Sequence, residues 1–334
     1  MSDKQVRLGV RGPVVGAQGL GCMGMSEFYG PTDQDEARRT LEHALERGVT
    51  LFDTADMYGM GANEEFLSPF VNAHRDEVTL ATKFGIVRDP ADPGRREMRG
   101  DAEYVRSAAE ASLRRLGVDV IDLYYMHRRD LSVPIEETVG AMAELVQAGK
   151  VRHLGLSEVT AGELRAASAV HPIAAVQSEW SVFNRDVEKA VVPAAAELGV
   201  GFVPYSPLGR GFLTGAFTDA AKLGDGDVRE IFPQYTGDNA GHNVTLLEPI
   251  RRIAERDGVT MAQVALAWVH ARGRVHGLGV VPIPGTRRRT RLDENVAALG
   301  LDLSTEDLAE LEAIAGQVQG TRYADISFVS AGRE

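Results

Sequence analysis

Four side chains of complementary chemistry follow directly on three apolar runs of the chain. Asp53 and Tyr58 come after the run that ends at Phe52, Lys83 ends the next run, and His127 follows a third. A phenol is a weak proton donor near pH 7 because its pKa is about 10, and a nearby ammonium group lowers that pKa. A carboxylate can balance the ammonium in a dry pocket, and an imidazole can donate a hydrogen bond to a substrate oxygen. The set therefore suits proton transfer to the oxyanion that forms when a carbonyl group is reduced, or the reverse reaction.

Each of these residues also has a structural interpretation. Asp53 could form a turn, and Tyr58 could be a partly exposed loop residue. Lys83 could be a solvated strand end, and His127 a hydrogen-bonded histidine at the rim. Four complementary groups at three successive strand ends favour the catalytic interpretation, because chance seldom produces such a combination.

The elements that must position these groups are predicted by apolar runs alternating with amphipathic stretches. Predicted strands end near residues 15, 52, 81, 126, 156, 176, 203 and 281. Predicted helices cover about 33–48, 62–72, 101–116, 136–148, 161–169, 187–198, 244–257 and 290–299, with further helices at 260–271 and in the tail 304–334. This alternation predicts an α/β fold, a (β/α)8 TIM barrel with extra helices. Segments 84–100 and 209–243 are predicted as long loops at the C-terminal face, where barrels carry their active sites. No linker divides the chain, so residues 1–334 are predicted to form a single domain.

A glycine-rich stretch near the start of the chain, GLGCMG at 19–24, matches the dinucleotide fingerprint G-x-G-x-x-G. In that fingerprint the glycines lead directly into a helix. Here the next helix signal begins only at Thr32 and Asp33, after a loop. We therefore interpret the stretch as a turn after the first strand, where the backbone can approach a ligand.

Composition excludes several classes of function. The formal net charge of −12 makes a nucleic-acid or anionic membrane surface unlikely. The single Cys22 excludes an intramolecular disulfide and a multi-cysteine metal site, and the histidines lack metal-ligand spacing, so no metal is predicted. The chain shows no signal peptide and no apolar run of about 18 residues, so we expect a cytoplasmic protein that does not cross a membrane.

Three segments resemble the signature segments of the aldo-keto reductase family. They are FDTADMYGMGANEE at 52–65, LATKFG at 80–85 and IDLYYMHRRD at 121–130. Similar segments, among them VRHLGLSE, VPYSPLGRGFLTG and VPIPGTRRRTRLDENVAAL, extend the resemblance over about residues 8–325. The resemblance implies that Tyr58 is the general acid and base, that Lys83 tunes it, that Asp53 holds Lys83, and that His127 orients the carbonyl. It also implies reduction of small aldehydes or ketones to alcohols, with hydride from NADPH.

The same resemblance implies that NADPH binds on the barrel, without a Rossmann domain. The positions that it assigns to the carboxamide, the nicotinamide face and the pyrophosphate are Ser157, Glu158, Gln177, Tyr205, Ser206, Leu208, Gly209, Arg210 and Gly211. Those assigned to the 2′-phosphate and adenine are Gly285, Thr286, Arg287, Arg291, Glu294 and Asn295. Four arginines within 287–291, just before a helix, favour phosphate binding on their own chemistry, and Arg287 and Arg291 are the individual candidates. The alternative is a solvated basic turn.

The substrate pocket is predicted to include Phe28, Tyr29 and Trp180, with segments 84–100 and 209–243 and the tail, although Trp180 could equally belong to the core. The sequence leaves the substrate and the oligomeric state open. Two other functions remain. One is a redox-sensing regulatory subunit that resembles the channel β-subunits and binds NADPH with little turnover. The other is a barrel isomerase or lyase that uses the Tyr and Lys pair without nicotinamide.

Overall fold

The computed structural model describes residues 5–89, 91–223 and 227–334 of the chain. Their strands are β1 (Gln5–Arg7), β2 (Val14–Gly16), β3 (Leu20–Gly21), β4 (Leu51–Asp53), β5 (Thr79–Phe84), β6 (Ile86–Asp89), β7 (Asp92–Met98), β8 (Ile121–Met126), β9 (Val151–Ser157), β10 (Ile173–Glu179) and β11 (Gly201–Tyr205). Seven of them form one sheet in the order β11-β10-β9-β8-β5-β4-β3, and every neighbouring pair is parallel.

An eighth segment joins the two ends of this sheet. Val280 forms a parallel bridge with Phe202 of β11, and Gly285 forms one with Gly21 of β3. The sheet is thereby closed into a barrel, with helices outside. The predicted (β/α)8 barrel is confirmed, although its last strand is reduced to isolated bridges.

The helices are α1 (Gln34–Glu46), α2 (Ala62–Ala73), α3 (Ala102–Leu116), α4 (Ile135–Gln147), α5 (Ala161–Val170), α6 (Val191–Leu198), α7 (Gly237–Thr245), α8 (Glu248–Asp257), α9 (Met261–His276), α10 (Arg289–Ala297) and α11 (Thr305–Glu312). Five of them, α1, α3, α5, α9 and α11, begin with a side chain that caps the first turn. Asp33, for example, accepts hydrogen bonds from the backbone N–H groups of Asp35 and Glu36, both at 3.0 Å. Within the described residues, no helix is long and apolar enough to cross a membrane.

The first predicted strand was placed wrongly. Residues Val14–Gly16 pair antiparallel with Gln5–Arg7 in a separate hairpin, and the barrel begins with β3, inside the glycine-rich stretch. A Cβ atom on Gly21 would lie 2.9 Å from the carbonyl oxygen of Ile283. Gly19 and Gly21 therefore allow close approach of the closing segment, and the predicted turn begins after them, at Cys22. Approach of a ligand to this turn stays a prediction.

Two further predictions differ from the structure. Segment 84–100, predicted as a loop, contains the antiparallel hairpin β6–β7. The helix predicted over 244–257 is divided into α7 and α8, with Pro249 in the first turn of α8. Proline cannot donate a backbone hydrogen bond in a helix interior but is tolerated at a helix start, so the break falls there.

Candidate active site

The alternation of side chains along the strands directs three members of the predicted quartet into the barrel. Leu51, Ala81, Tyr125, Ala175 and Val203 belong to one buried cluster inside the barrel. Successive side chains of a strand point to opposite faces, so residues two positions further on point the same way. Those residues are Asp53, Lys83, His127, Gln177 and Tyr205, at the C-terminal ends of the strands. Five strands thus place five functional groups at one mouth.

Lys83 and Asp53 form a buried ion pair at the centre of this mouth. The Lys83 ammonium donates to Asp53 Oδ1 and, at 2.8 Å, to the carbonyl oxygen of Thr54. Gln177 Nε2 donates to the other oxygen of Asp53, also at 2.8 Å. Burial lowers the pKa of Lys83, and the carboxylate of Asp53 acts against that shift. Both ions are therefore supplied with the additional hydrogen bonds that a buried pair requires.

Tyr58 lies beside this pair, with the Lys83 nitrogen 5.3 Å from the centre of its ring. Its side chain is almost entirely buried. Burial, aided by the negative charge of Asp53, raises the pKa of Tyr58 well above its usual value, and Arg128 acts in the opposite direction. The net shift of this pKa is upward, so burial and the charge of Asp53 outweigh any lowering by the Lys83 ammonium. Tyr58 is consequently protonated at neutral pH.

His127 faces Tyr58 across the mouth, with ring centres 5.8 Å apart and planes nearly perpendicular at 87°. Its Nδ1 is buried and has no hydrogen-bond partner among the described residues. Burial lowers the pKa of His127 well below its usual value, and Arg128, Lys83 and Arg96 lower it further. The imidazole is therefore neutral and retains one N–H to donate.

The residues assigned to the carboxamide differ in how many hydrogen bonds their side chains already make within the protein. Ser157 lies at the end of β9, and its hydroxyl accepts from Arg128 Nη1 at 3.2 Å. Glu158 is saturated: its carboxylate accepts from Tyr205 Oη at 2.7 Å, from two nitrogens of Arg322, and from Ser330. Burial would raise the pKa of Glu158, but Arg322 and Arg128 outweigh it and hold that pKa well below its usual range. The side chain of Glu158 thus positions Tyr205 and the tail, and its role as a cofactor contact stays a prediction.

The segment assigned to the pyrophosphate has a left-handed backbone. Ser206 (φ 48°), Gly209 (55°), Arg210 (54°) and Gly211 (96°) share positive φ, and Leu208 stands half-buried just before them. The Arg210 guanidinium makes two bonds to Glu179, at 2.9 and 3.0 Å, and stacks on Phe232. Any phosphate contact in this turn would therefore come from the backbone rather than from that guanidinium.

The four arginines of 287–291 have different surroundings. Arg287 donates to the carbonyl oxygen of Tyr29 and to Thr32 Oγ1, both at 2.7 Å, and holds the loop after β3. Arg289 pairs with Glu36, and Arg291 pairs with Glu294 at 2.6 Å. Arg288 is exposed and, within the described residues, its side chain has no ion-pair partner; it lines a surface depression of about 390 Å³ together with Pro31. Arg288 is the arginine most free to bind a ligand.

The remaining residues assigned to the adenine end lie close by. Thr286 accepts from the backbone N–H of Arg288 at 3.2 Å, and Asn295 is buried on α10. Gly285 belongs to the barrel closure. These residues shape the segment that carries the arginines.

Comparison with known proteins identifies the family to which this arrangement belongs. The family model described as Aldo/keto reductase family matches residues 18–315. The chain belongs to the aldo/keto reductase family. Its barrel resembles the glycerol dehydrogenase of Gluconobacter oxydans, with a TM-score of 0.84 and 26% identity over 95% of this chain and 97% of that one.

Two other solved structures of aldo/keto reductases are similar to it. The holo form from Bacillus halodurans is 27% identical over 99% of both chains, with a TM-score of 0.75. The Klebsiella pneumoniae enzyme, solved with NADP and acetate, is 29% identical over 96% of this chain and 99% of that one, with a TM-score of 0.71.

The residues predicted for the substrate pocket of this aldo/keto reductase separate into two groups. Phe28 packs against the cluster that contains Met57, Tyr58 and Ile86, at the mouth. The ring of Tyr29 lies 5.4 Å from the Arg229 guanidinium carbon, in the same loop as Phe28.

Trp180 was assigned wrongly. It is fully buried against Phe202, outside the barrel wall, and its Nε1 donates to Glu188 at 2.9 Å. Trp180 lies three positions beyond the inward-facing Gln177, so strand alternation turns it outward. It belongs to the core.

Sequence reasoning missed Arg128 and the aromatic residues of the tail. Arg128 is 8% exposed and donates to the His127 carbonyl oxygen at 2.8 Å. The rings of Tyr205 and Phe328 each lie with their centres 6.0 Å from its guanidinium carbon. Tyr323 Oη accepts from Arg210 at 3.0 Å. The position of Arg128 next to His127, at a strand end, was the available signal. No group of His, Cys, Asp and Glu suited to a metal ion occurs in the part of the chain that the structure describes.

Proposed function

We propose that this aldo/keto reductase reduces aldehydes or ketones to alcohols with NADPH and that Tyr58 donates the proton. The observation that carries the proposal is the convergence of Tyr58, Lys83, Asp53 and His127 at the mouth of the barrel. The buried Lys83–Asp53 pair stands beside a protonated phenol, and a neutral imidazole faces that phenol. The isomerase or lyase considered for the chain would use only Tyr58 and Lys83.

The surroundings of the quartet fit a nicotinamide dinucleotide. Ser157 and Gln177 offer polar side chains at adjacent strand ends, and Tyr205 offers a ring face held in place by Glu158. The left-handed turn at 209–211 has glycine at two positions, where a side chain would be strained. Arg288 supplies a free cation for the additional phosphate of NADPH. When bound, the reduced nicotinamide supplies a hydride to the carbonyl carbon.

The residues of the chain then handle the oxygen of the substrate. His127 is neutral, so it donates a hydrogen bond that orients the carbonyl group without adding a full charge. Tyr58 gives its proton to the developing alkoxide, which is a stronger base than a phenolate. Lys83 stabilises the phenolate that results, and Asp53 fixes Lys83 in place. Burial at the mouth excludes water, which strengthens each of these interactions.

The test is Tyr58→Phe, which removes the proton donor and retains the ring. We expect kcat/KM for a panel of aldehydes to fall by about 10²–10⁴-fold, the usual contribution of general acid catalysis. Consumption of NADPH in the presence of each aldehyde is the measurement. Fluorescence quenching on addition of NADPH should be the same in the variant and the parent protein.

Three results would contradict the proposal. Full activity in Tyr58→Phe would remove Tyr58 from proton transfer. A single stoichiometric oxidation of NADPH by the parent protein, without further cycles, would favour the redox-sensing function instead. Absence of NADPH binding would favour an isomerase or lyase.

A further inference from the structure

Arg128 is a buried cation without a carboxylate partner. In the part of the chain that the structure describes, its guanidinium donates hydrogen bonds only to uncharged oxygens, those of the His127 carbonyl and the Ser157 hydroxyl. Within the described residues, no carboxylate lies at ion-pair distance from it. A buried charge is costly unless it is paired, so such an arrangement is unusual outside a binding site.

The nearest carboxylate cannot take the place of a partner. Glu158 contributes to the electrostatic surroundings of Arg128, but its two oxygens already accept bonds from Arg322, Tyr205 and Ser330. Asp53, the carboxylate at the centre of the mouth, is held by Lys83 and Gln177. Both nearby carboxylates are therefore bonded to other groups, and neither forms an ion pair with Arg128.

A second cation lies toward the same space, on the hairpin β6–β7. Arg96 stands opposite Arg88 in the hairpin register. Arg88 is neutralised by Glu27 at 2.8 Å, whereas Arg96 is exposed and has no carboxylate at ion-pair distance in the described part of the chain. Arg88 donates to the carbonyl oxygen of Met57 at 3.1 Å, so the paired position of Arg96 lies close to the mouth.

Part of the mouth is apolar. Tyr58 packs in a cluster with Ala55, Met57 and Ile86, and Phe28 borders that cluster. A ligand between Tyr58 and His127 would thus meet both apolar surface and guanidinium groups. This combination suits a short or aromatic aldehyde that also carries an anionic group.

We propose that the substrates are carbonyl compounds with a carboxylate or phosphate group, and that Arg128 binds this anion with help from Arg96. The inference rests on the proposed reductase function and names the substrate class of the same site. Arginine matches the geometry of carboxylate and phosphate with two parallel hydrogen bonds, which a neutral substrate cannot use.

The experiment compares matched pairs of aldehydes with NADPH. Carboxybenzaldehyde and its methyl ester differ in charge but little in shape, and phosphorylated glyceraldehyde and glyceraldehyde form the phosphate pair. We expect kcat/KM of the parent protein to favour at least one anionic member by about 10–100-fold, the usual value of a hydrogen bond to a charged group. The pair with the larger ratio distinguishes carboxylate from phosphate.

Arg128→Met should abolish this preference by raising KM for the anionic aldehyde, with a much smaller effect on the neutral one. Arg96 is exposed, so Arg96→Met should leave the fold intact. We expect this variant to reduce the preference for the anionic aldehyde about threefold, because the charge of Arg96 is more distant from the anion. Arg165→Met is the control, because Arg165 pairs with Glu197 on an exposed surface. It should change neither member of a pair.

The outcomes separate the two proposals. Turnover of both members of each pair with equal kcat/KM would overturn the anion preference and leave the reductase function intact. Equal losses for anionic and neutral aldehydes in Arg128→Met, with Arg96→Met unchanged, would instead make Arg128 a positioning residue and also overturn the inference. Turnover of no aldehyde at all would overturn both.

Discussion

Burial controls the protonation of the side chains at the mouth of the barrel. It raises the pKa of Tyr58 and lowers those of His127 and Lys83, so each of the three is moved toward its uncharged form. Asp53 opposes the shift of Lys83 through their ion pair. Tyr58 is thus a donor that keeps its proton until a strongly basic oxygen is formed beside it.

The effect of burial on the pKa of Asp56 can be tested through the pH dependence of protein stability. Its Oδ1 is buried without a hydrogen-bond partner among the described residues, and burial, with the charge of Glu64, raises its pKa to about 8. In the unfolded chain the pKa is about 3.9. Between these values the folded protein holds a proton that the unfolded chain has lost, so this residue makes the free energy of unfolding fall as pH rises.

Asp56→Asn should remove that fall, because asparagine is neutral in both states. We expect the stability of the variant relative to the parent protein to increase from about pH 5 to about pH 8, as measured by urea unfolding. Asp302→Asn, at an exposed position, serves as the control and should not change the pH dependence. Parallel pH profiles for Asp56→Asn and the parent protein would show that Asp56 is ionised in the fold.

The sequence predicted the members of the quartet but not their pKa values. Residue types at strand ends identify Tyr58 and Lys83 as neighbours, yet the net field at the phenol depends on how closely Asp53 balances the ammonium and on the depth of burial. Neither is visible in the chain. Arg128 was missed for a related reason: its importance comes from lacking a partner, which only coordinates reveal.

At the scale of elements, the tail of the chain, residues 321–334, contacts the side of the mouth where the nicotinamide is predicted to bind. Arg322 and Ser330 bond to Glu158, which in turn accepts the hydroxyl of Tyr205. Arg333 donates to the Glu158 carbonyl oxygen at 2.7 Å. The tail therefore acts as a brace behind Tyr205, and Glu158 is the point where the two meet.

Arg322→Met should weaken this brace, because it leaves the Glu158 carboxylate buried with too little positive charge. Breaking a buried ion pair in this way typically costs about 3–5 kcal/mol, so we expect a loss of that size in urea unfolding. The double variant Arg322→Met with Glu158→Met should regain most of the stability, since no unpaired charge remains. A single variant as stable as the parent protein would mean that the tail does not depend on this pair.

Elements with a strong periodic pattern were predicted well, and short or mixed ones were not. The β-branched Val14 and Val15 resemble a strand and form one, but in the hairpin below the barrel. The barrel strand β3 has glycine where a strand usually has a bulky residue, because Ile283 passes too close. That requirement comes from a segment more than two hundred residues away along the chain and cannot be derived from local pattern.

At the scale of the whole molecule, charge is distributed unevenly. The chain has a formal net charge of −12, yet four arginines gather in 287–291 and two more stand near the mouth. The alternation of strands and helices sufficed to predict the barrel and the face that carries these groups. It could not predict which arginine is free, because Arg287 and Arg289 are engaged by residues from α1 and the loop before it.

Arg288→Ala should therefore affect NADPH more than NADH. We expect KM for NADPH to rise by about 10–100-fold and KM for NADH to change little, because only NADPH has the additional phosphate. Steady-state kinetics with both cofactors at low and physiological salt is the measurement, and screening should narrow the difference. Arg291→Ala is the comparison: a larger effect there would show that Arg291 leaves Glu294 to bind the phosphate.

The closure of the barrel has one more consequence. Among the described residues, the eighth segment is joined to β11 by hydrogen bonds from Phe202 N–H to Gly279, from Val281 N–H to Phe202 and from Ile283 N–H to Pro204. On the β3 side it is joined by the bond from Gly19 N–H to Pro282 and by the bridge between Gly21 and Gly285. We therefore expect transient opening of the barrel to begin between β3 and the eighth segment. The arginine segment 287–291 follows the eighth segment of the barrel, and Phe28 follows β3. A ligand that binds to both would hold these two edges together, so we expect the enzyme to be stiffer with ligand bound than without it.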